Sequence, residues 1–311
     1  MSSARRAVID VGTNSVKLLV ADVSGNAVHP VFEDSEQTRL GRGFYETHEL
    51  QPDAIRQTSE AVAKFAHLAC EHNANSIRVI ATSAARDAKN SSALTAAIEK
   101  AGGLKVEIIS GEQEADLAFR GVTSNPEFAH QTLLVLDVGG GSTEFILGSG
   151  QQILSSESHP LGSVRLMEKI PHSDPPTAGE LGQCRRWLRE FLDAEARIKL
   201  PGDALLIGTG GTAGILARME LKLADFDRAR IEAARLTREQ IVAHVTQLWS
   251  LPLEERKKII GLPPNRADVI LTGAAIYEAV MEKFGFEELR VSTRGLRFGA
   301  VMARALASRP R

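Results

Sequence analysis

The sequence IDVGTNS at residues 9–15 returns as LDVGGGS at residues 136–142, and this repeat decides the fold. Aspartate, valine, glycine and the closing serine fall in register in the two copies, which lie 127 residues apart. Each copy ends a short apolar run and is followed by further runs with β-strand character. One repetition at this distance indicates two duplicated domains rather than a solenoid of short repeats.

Strands and helices alternate around the first copy after an opening meander of three strands, which is typical of an α/β domain. Ser110 with Gln113 three residues later has the pattern of a capping box, and it predicts a helix over residues 111–122. The polar, proline-bearing stretch TSNPEFAH at 123–130 predicts the domain boundary. We therefore expect one domain over residues 1–124 and a second over 125–311.

The amino-acid composition limits the classes of protein to which this chain can belong. With 311 residues, 43% of them hydrophobic, the chain can bury two cores of ordinary size. A net charge of −2 and only two tryptophans and two tyrosines predict no nucleic-acid partner. The sequence has no apolar run of about 20 residues and no signal-like opening, and its two cysteines lie far apart. These features predict a cytoplasmic protein with reduced thiols and no membrane partner.

An Asp-x-Gly-x-x-Ser turn between two strands brings several backbone N–H groups into one concavity, and its glycines let an anion approach. Such nests bind phosphate oxygens. A single turn of this kind is more often an ordinary hairpin connection, but two copies in one chain favour a pair of phosphate loops. The predicted phosphate-binding residues are Gly12, Thr13, Asn14 and Ser15 in the first turn, and Gly139, Gly140, Gly141 and Ser142 in the second.

Paired β-hairpin phosphate loops resemble those of the actin, Hsp70 and sugar kinase superfamily, and GTGGT at 208–212 resembles its third glycine-rich motif. The resemblance implies the fold class: α/β, with two actin-like ATPase (ribonuclease H-like) domains flanking a cleft. On this expectation the two phosphate loops face each other across the cleft.

A narrower resemblance is carried by six segments in order along the chain. They are AVIDVGTNSVKLLV (7–20), TSAAR (82–86), SGEQEADLAFRGV (110–122), LDVGGGSTEFIL (136–147), GTGGT (208–212) and LPPNRADVILTGA (262–274). The set resembles the exopolyphosphatase/guanosine pentaphosphate phosphohydrolase family and is not carried by sugar kinases or actins. Long members add a helical domain, so a chain ending at Arg311 is expected to be the short, two-domain form. In relatives a terminal helix, here about 296–311, returns to the first domain.

The resemblance implies the catalytic residue and the metal ligands. Glu114 matches the family's base, while Gln113 stands where many members have a second glutamate. Asp137 and Glu144 match the ligands of a divalent cation, Mg²⁺ or Mn²⁺. In the first copy Lys17 stands at the position of Glu144, which assigns the metal mainly to the second turn. From the residues alone, Glu114 is more simply an exposed helix-start glutamate and Glu144 a solvated strand residue.

Four arginines are candidates for phosphate binding, because a planar guanidinium grips phosphate oxygens with two donors. Arg86 and Arg266 match the phosphate-contacting arginines of the family. Arg39 and Arg42 would extend the positively charged surface around the phosphate-binding site. For each of the four the alternative is an ion pair at the surface.

The resulting prediction is an exopolyphosphatase, a phosphoanhydride hydrolase that removes the terminal phosphate of polyphosphate with a bound metal. The first alternative is hydrolysis of guanosine pentaphosphate, since both substrates present a linear chain of phosphates. A phosphotransferase of the same fold is disfavoured because no segment offers the aspartate base of a sugar kinase. The alternative of another class is a non-enzymatic sensor of polyphosphate or (p)ppGpp, or an actin-like filament former. A homodimer is left open.

Overall fold

The structure is a computed structural model that describes residues 4–303. These residues form two compact units. Unit 1 contains residues 4–126 and 294–303, and unit 2 contains residues 127–293. The part of the predicted terminal helix beyond residue 303 lies outside the described residues.

Unit 1 is built on a five-stranded sheet in the order β3-β2-β1-β4-β5. The first three strands form an antiparallel meander, and the last two run parallel to β1. The strands are β1 (Ala4–Val11), β2 (Val16–Ser24), β3 (Ala27–Glu36), β4 (Ser76–Ala81) and β5 (Val106–Ile108). Because β1, β4 and β5 are parallel, the segments that follow them meet at one edge of the sheet.

Helices cover both faces of this sheet. They are α1 (Phe44–Thr47), α2 (Pro52–Glu71), α3 (Ser83–Asp87), α4 (Ser91–Gly102) and α5 (Gly111–Thr123). The apolar side of α2, with Val62 and Phe65 fully buried, packs into the core on one face. The predicted capping box of α5 is confirmed, since Ser110 Oγ accepts from Gln113 N and Gln113 Oε1 from Ser110 N. The one-turn helix α3, which was not predicted, directly follows β4.

Unit 2 repeats this plan with one strand more, in the order β10-β11-β9-β6-β7-β8. Three strands again form an antiparallel meander, and β9 runs parallel to the first of them, β6. The strands are β6 (Thr132–Val138), β7 (Thr143–Ser149), β8 (Gln152–His159), β9 (Leu205–Thr209), β10 (Arg235–Thr237) and β11 (Glu288–Val291). The additional strand β10 is a short antiparallel edge strand paired with β11.

The helices of unit 2 surround one large apolar core. They are α6 (Ser163–Lys169), α7 (Ala178–Glu195), α8 (Gly210–Glu220), α9 (Arg228–Glu232), α10 (Arg238–Ser250), α11 (Leu253–Arg256) and α12 (Ile270–Phe284), with a 3₁₀ turn over Pro264–Arg266. The GTGGT segment is the direct junction of β9 with α8: the strand ends at Thr209 and the helix begins at Gly210.

The final described helix, α13 (Leu296–Met302), belongs to unit 1 and packs against α5, β1 and β2. Its Gly299 lies against the carbonyl of Leu117 so closely that a Cβ atom would collide there. Glycine at this position therefore permits the two helices to touch. Among the helices of residues 4–303, none combines the length and the apolar character needed to cross a membrane.

Candidate functional site

The first turn, residues 12–15, connects β1 to β2 and is closed by a hydrogen bond from Gly12 N to Ser15 O of 3.0 Å. The carbonyls of Thr13 and Asn14 accept from Gly41 N (2.7 Å) and Arg39 N (3.0 Å). The carbonyl side of the turn is thus occupied by the segment 39–41. Within the described chain, the N–H groups of residues 13–15 take no part in these backbone hydrogen bonds.

Two polar groups of the first turn are buried without a hydrogen-bond partner among residues 4–303: Asn14 Nδ2 and Ser15 Oγ. The other side of the Asn14 amide is held, because its Oδ1 accepts from Gln37 Nε2 at 3.2 Å. A buried donor without a partner is costly. A ligand rich in acceptor oxygens would satisfy these donors, which supports the predicted phosphate-binding role.

The second turn, residues 139–142, is closed in the same way, by Gly139 N donating to Ser142 O at 3.0 Å. Its carbonyl side is held by the start of α6. Ser163 N and Val164 N donate to the carbonyls of Gly139 and Gly140, each at 2.9 Å, and Arg165 Nε donates to Gly141 O at 2.7 Å. With the carbonyls turned toward α6, the N–H groups of residues 140–142 are outside the backbone hydrogen bonds of the described residues. The amides of this turn could therefore donate to a ligand.

Asp137 and Glu144 stand directly opposite each other in the antiparallel pair of β6 and β7. Cβ atoms in such pairs lie about 4.5–5.5 Å apart on one face of the sheet. Glu144 is only 1% exposed and accepts a hydrogen bond from Ser158 Oγ at 2.9 Å. The alternative of a solvated strand position for Glu144 is therefore wrong, because the side chain is buried. A buried carboxylate beside a second one is unfavourable unless a positive charge lies near them.

The oxygens near Asp137 fit a hard divalent cation. Thr209, in register with Asp137 on β9, is fully buried, and its hydroxyl lacks a hydrogen-bond partner within residues 4–303. The described residues contain no group of three or more histidines, cysteines or acids arranged to hold a metal. A cation here would have Asp137 and Glu144 as its carboxylates and would complete its shell with water and substrate oxygens, as Mg²⁺ does.

Glu114 lies on the first turn of α5 and is 8% exposed. Arg86, at the end of α3, donates from Nη1 to Glu114 Oε2 and to the carbonyl of Ile109, each at 3.0 Å. The expectation of an exposed helix-start glutamate is therefore wrong. Instead, the guanidinium holds the carboxylate in one orientation at the edge of the sheet where β4 and β5 end.

This pair lies on the same sheet edge as the first turn. Val11 of β1 is in register with Ala81 of β4, and Thr82 N donates to Val11 O at 3.2 Å. The turn after β1, the helix after β4 and the helix after β5 are thus consecutive along the edge. Unit 1 brings together residues 12–15, Arg86 and Glu114.

An acidic and a basic residue replace the carboxylate pair beside the first turn. Asp10 is in register with Lys17, as Asp137 is with Glu144. Burial raises the pKa of Asp10 above its usual range, and the charges of Lys17 and Arg297 act against that rise. The first turn therefore carries its own cation.

The remaining predicted arginines flank the turns. Arg266 Nη2 lies 3.7 Å from where a Cβ atom on Gly211 would be, beside the start of α8. Arg39 and Arg42 are exposed next to the first turn, and Arg39 has a left-handed backbone, φ 51°. Two residues of the second site were not predicted from the sequence, Thr209 and Arg165. Thr209 lies within the GTGGT motif, which could have identified it. Arg165 stands on a short helix that the sequence pattern did not reveal.

Comparison with known proteins decides the family. A model of the Ppx/GppA phosphatase family matches residues 19–307. The chain belongs to that family. It is 35% identical to exopolyphosphatase 2 of Mycobacterium tuberculosis over 319 residues, covering 98% of this chain and 100% of that protein. The resemblance deduced from the six segments is confirmed.

Solved structures support the same family and fold. The Ppx/GppA family member of Aquifex aeolicus superposes with a TM-score of 0.81 at 32% identity, covering 97% of each chain. An exopolyphosphatase from Cytophaga hutchinsonii superposes with a TM-score of 0.86 at 28% identity, covering 95% of this chain and 96% of that one. The predicted fold class, α/β with two actin-like domains, is confirmed. As a member of this phosphatase family, the chain is an enzyme.

Proposed function

We propose that this Ppx/GppA phosphatase is an exopolyphosphatase, which hydrolyses the terminal phosphoanhydride bond of inorganic polyphosphate with a divalent metal. The observation that carries the proposal is the pairing of Asp137 with the buried Glu144 beside a turn whose amides make no backbone hydrogen bonds. Two relatives that share nearly the whole chain are themselves named exopolyphosphatases. A linear polyphosphate offers the run of acceptor oxygens that amide nests bind.

Each unit contributes a distinct task in this proposal. In unit 2, the amides of residues 140–142 bind phosphate oxygens, and Arg266 adds positive charge at the start of α8. Asp137 and Glu144 would hold Mg²⁺ or Mn²⁺. When bound, the cation supplies Lewis-acid neutralisation of phosphate charge.

In unit 1, the amides and the buried donors of Asn14 and Ser15 bind further phosphate oxygens. The carboxylate of Glu114 accepts a hydrogen bond from a water and orients it for in-line attack at the terminal phosphorus. Arg86 Nη1 keeps that carboxylate in place and adds positive charge for the substrate. The P–O anhydride bond breaks as the water oxygen bonds to phosphorus, releasing orthophosphate and a chain one phosphate shorter.

The proposal extends to the setting of the enzyme. Both cysteines are free thiols, Cys70 exposed and Cys184 buried, which supports a reducing, cytoplasmic compartment. Burial is the main cause of a pKa of about 12 for Cys184, so its thiol stays protonated. A homodimer stays a prediction that light scattering at assay concentration checks.

The test is phosphate release from polyphosphate by the purified chain, without nucleotide or acceptor, in Mg²⁺ and then in EDTA. We expect release that stops on chelation. Guanosine pentaphosphate is the parallel substrate, and the ratio of kcat/KM values assigns the preference. Binding of polyphosphate without any release in Mg²⁺ or Mn²⁺ would support the sensor alternative and overturn the proposal. Turnover only with an added hydroxyl acceptor would identify a phosphotransferase.

A further inference from the structure

Tyr277 lies on α12 and is fully buried, yet its hydroxyl is placed between two backbone carbonyls. It lies 3.1 Å from Leu136 O and 3.2 Å from Thr209 O. A phenol has a single proton, so it donates to the two carbonyls in turn or shares the proton between them. These carbonyls belong to the residues directly before Asp137 and Gly210. One side chain thus joins the end of β6 to the junction of β9 with α8.

The orientation of Asp137 depends on that junction. Asp137 and Thr209 are in register on neighbouring strands, and Asp137 Oδ1 lies against Gly210, where a Cβ atom would collide with it. Gly210 has φ +81°, a conformation that favours glycine. A shift of the junction relative to β6 would therefore move the carboxylate directly.

The ring of Tyr277 is held as firmly as its hydroxyl. A Cβ atom on Gly208 would lie 3.0 Å from Tyr277 Cε1, so the ring packs on the bare backbone of β9. Burial raises the pKa of Tyr277 well above its usual value of 10, and the charge of Asp137 raises it further. The ring packing and the two hydrogen bonds together fix the position of the hydroxyl.

We propose that Tyr277 is a positioning residue for the metal-binding carboxylate Asp137, acting through the two carbonyls that its hydroxyl joins. It touches neither substrate nor metal. The inference rests on the proposed function only in that Asp137 is taken as a metal ligand. It adds Tyr277, on a helix that packs against the sheet, to the residues that shape the candidate metal site of unit 2.

Tyr277→Phe tests the inference because it removes the hydroxyl and keeps the ring. Mn²⁺ affinity is measured by electron paramagnetic resonance titration, with inorganic phosphate present. We expect Mn²⁺ binding to weaken about 10- to 100-fold, the range typical for losing a partner that orients a metal ligand. Turnover at saturating Mn²⁺ should return close to the wild-type rate, because the metal then compensates for the disturbed carboxylate. A purely structural role would lower stability without shifting the Mn²⁺ midpoint.

Tyr45→Phe is the matched control, since Tyr45 is the only other tyrosine and lies in unit 1. It should leave Mn²⁺ affinity unchanged. Near-ultraviolet circular dichroism and a urea midpoint check that each variant is folded. Gly210→Ala provides a second test, because it displaces Asp137 at the junction while keeping the Tyr277 hydroxyl, and we expect an equal or larger loss of affinity.

Wild-type Mn²⁺ affinity in folded Tyr277→Phe overturns the inference, and so does wild-type affinity in Gly210→Ala. A wild-type protein that binds no Mn²⁺ overturns it as well. Mn²⁺ binding requires no turnover, so the result is independent of the enzymatic test. A wild type that binds Mn²⁺ but releases no phosphate would defeat the proposed function and still decide the role of Tyr277.

Discussion

The turns at residues 12–15 and 139–142 have the same backbone closure and opposite electrostatics. Each is closed by a 3.0 Å hydrogen bond from its first amide to its fourth carbonyl, and each follows the first strand of a three-stranded meander. Across the strands that flank them, Asp10 faces Lys17 in one unit and Asp137 faces Glu144 in the other. The same turn therefore has an aspartate facing a lysine beside it in unit 1 and two facing carboxylates beside it in unit 2.

Under the proposed function, this difference gives the two copies of the turn different roles. The backbone amides are common to both copies, so either can bind phosphate oxygens. One side chain, seven residues after the aspartate in each copy, decides whether the second charge near the turn is an ammonium or a carboxylate. The means of support differ too: segment 39–41 holds the carbonyls of the first turn, and α6 with Arg165 holds those of the second.

The largest expected effect separates the task of unit 1 from that of unit 2. Glu114→Gln should fold, bind polyphosphate and lose about 10²–10⁴-fold in kcat, the usual cost of losing a positioned base or water-orienting group. Added metal should not restore it, since the loss lies outside the carboxylate pair. Kinetics of phosphate release across a Mg²⁺ series measure this.

Glu112→Gln is the matched control for that variant, because Glu112 is exposed on the same first turn of α5. It should retain wild-type kinetics. Near-normal turnover in Glu114→Gln would remove Glu114 from the mechanism.

The second effect lies on the carboxylate pair. Glu144→Gln should raise the Mg²⁺ concentration for half-maximal activity by at least about 10-fold, and excess metal should restore turnover. In EDTA the same variant should unfold at higher urea than the wild type, because a buried charge beside a second carboxylate is gone. Glu282→Gln, at an exposed ion pair of unit 2, is the control. A metal midpoint unchanged from wild type would contradict the assignment.

A smaller effect is expected at the built-in cation of the first turn. Lys17→Gln should raise KM for polyphosphate by about two- to fivefold, the scale of a partly exposed charge interaction. It should leave the metal midpoint unchanged. Lys64→Gln, an exposed lysine of the same unit, should change neither value. If Lys17→Gln shifted the metal midpoint as Glu144→Gln does, the two turns would not have separate roles.

The smallest effect concerns stability and pH. Because burial raises the pKa of Asp10, the folded protein holds a proton there that the unfolded chain has released. Between the usual value of 3.8 and the raised folded-state value, the free energy of unfolding therefore falls as pH rises. Asp10→Asn removes this fall, so its stability relative to wild type should grow across that window and stay higher above it. Urea unfolding at a series of pH values measures the difference.

Asp22→Asn is a control of opposite sign. The hydrogen bond with Arg5 lowers the pKa of Asp22, so its contribution is present at neutral pH and lost on acidification. That variant should be less stable than wild type at neutral pH, with the difference shrinking as the pH falls. A parallel response of the two variants would contradict the opposite environments described for Asp10 and Asp22.

Local patterns predicted the longer elements and the position of the two turns. Ser110 and Gln113 predicted the start of α5 because a capping box acts between residues three apart. The repeat predicted both turns, because the same residue types recur at the same positions in the two copies. Short elements were not predicted, among them the three-residue edge strand β10 and the one-turn helix α3, because their formation depends on neighbours distant in sequence.

The prediction that the two turns face each other across a cleft stays a prediction. So do the individual roles assigned to Glu114, Asp137, Glu144, Arg86 and Arg266. The sequence by itself determined the two turns, the family, and the residue types that stand beside each turn.

Only the tertiary structure decided what surrounds those residues. Arg86 and Glu114 are 28 positions apart and become an ion pair because β4 and β5 end side by side. Tyr277 is 141 positions from Leu136 and reaches its carbonyl because α12 packs against β6. Burial and long-range hydrogen bonds are properties of the assembled sheets. A local sequence pattern carries the identity of a side chain but not the distance to a partner on another strand.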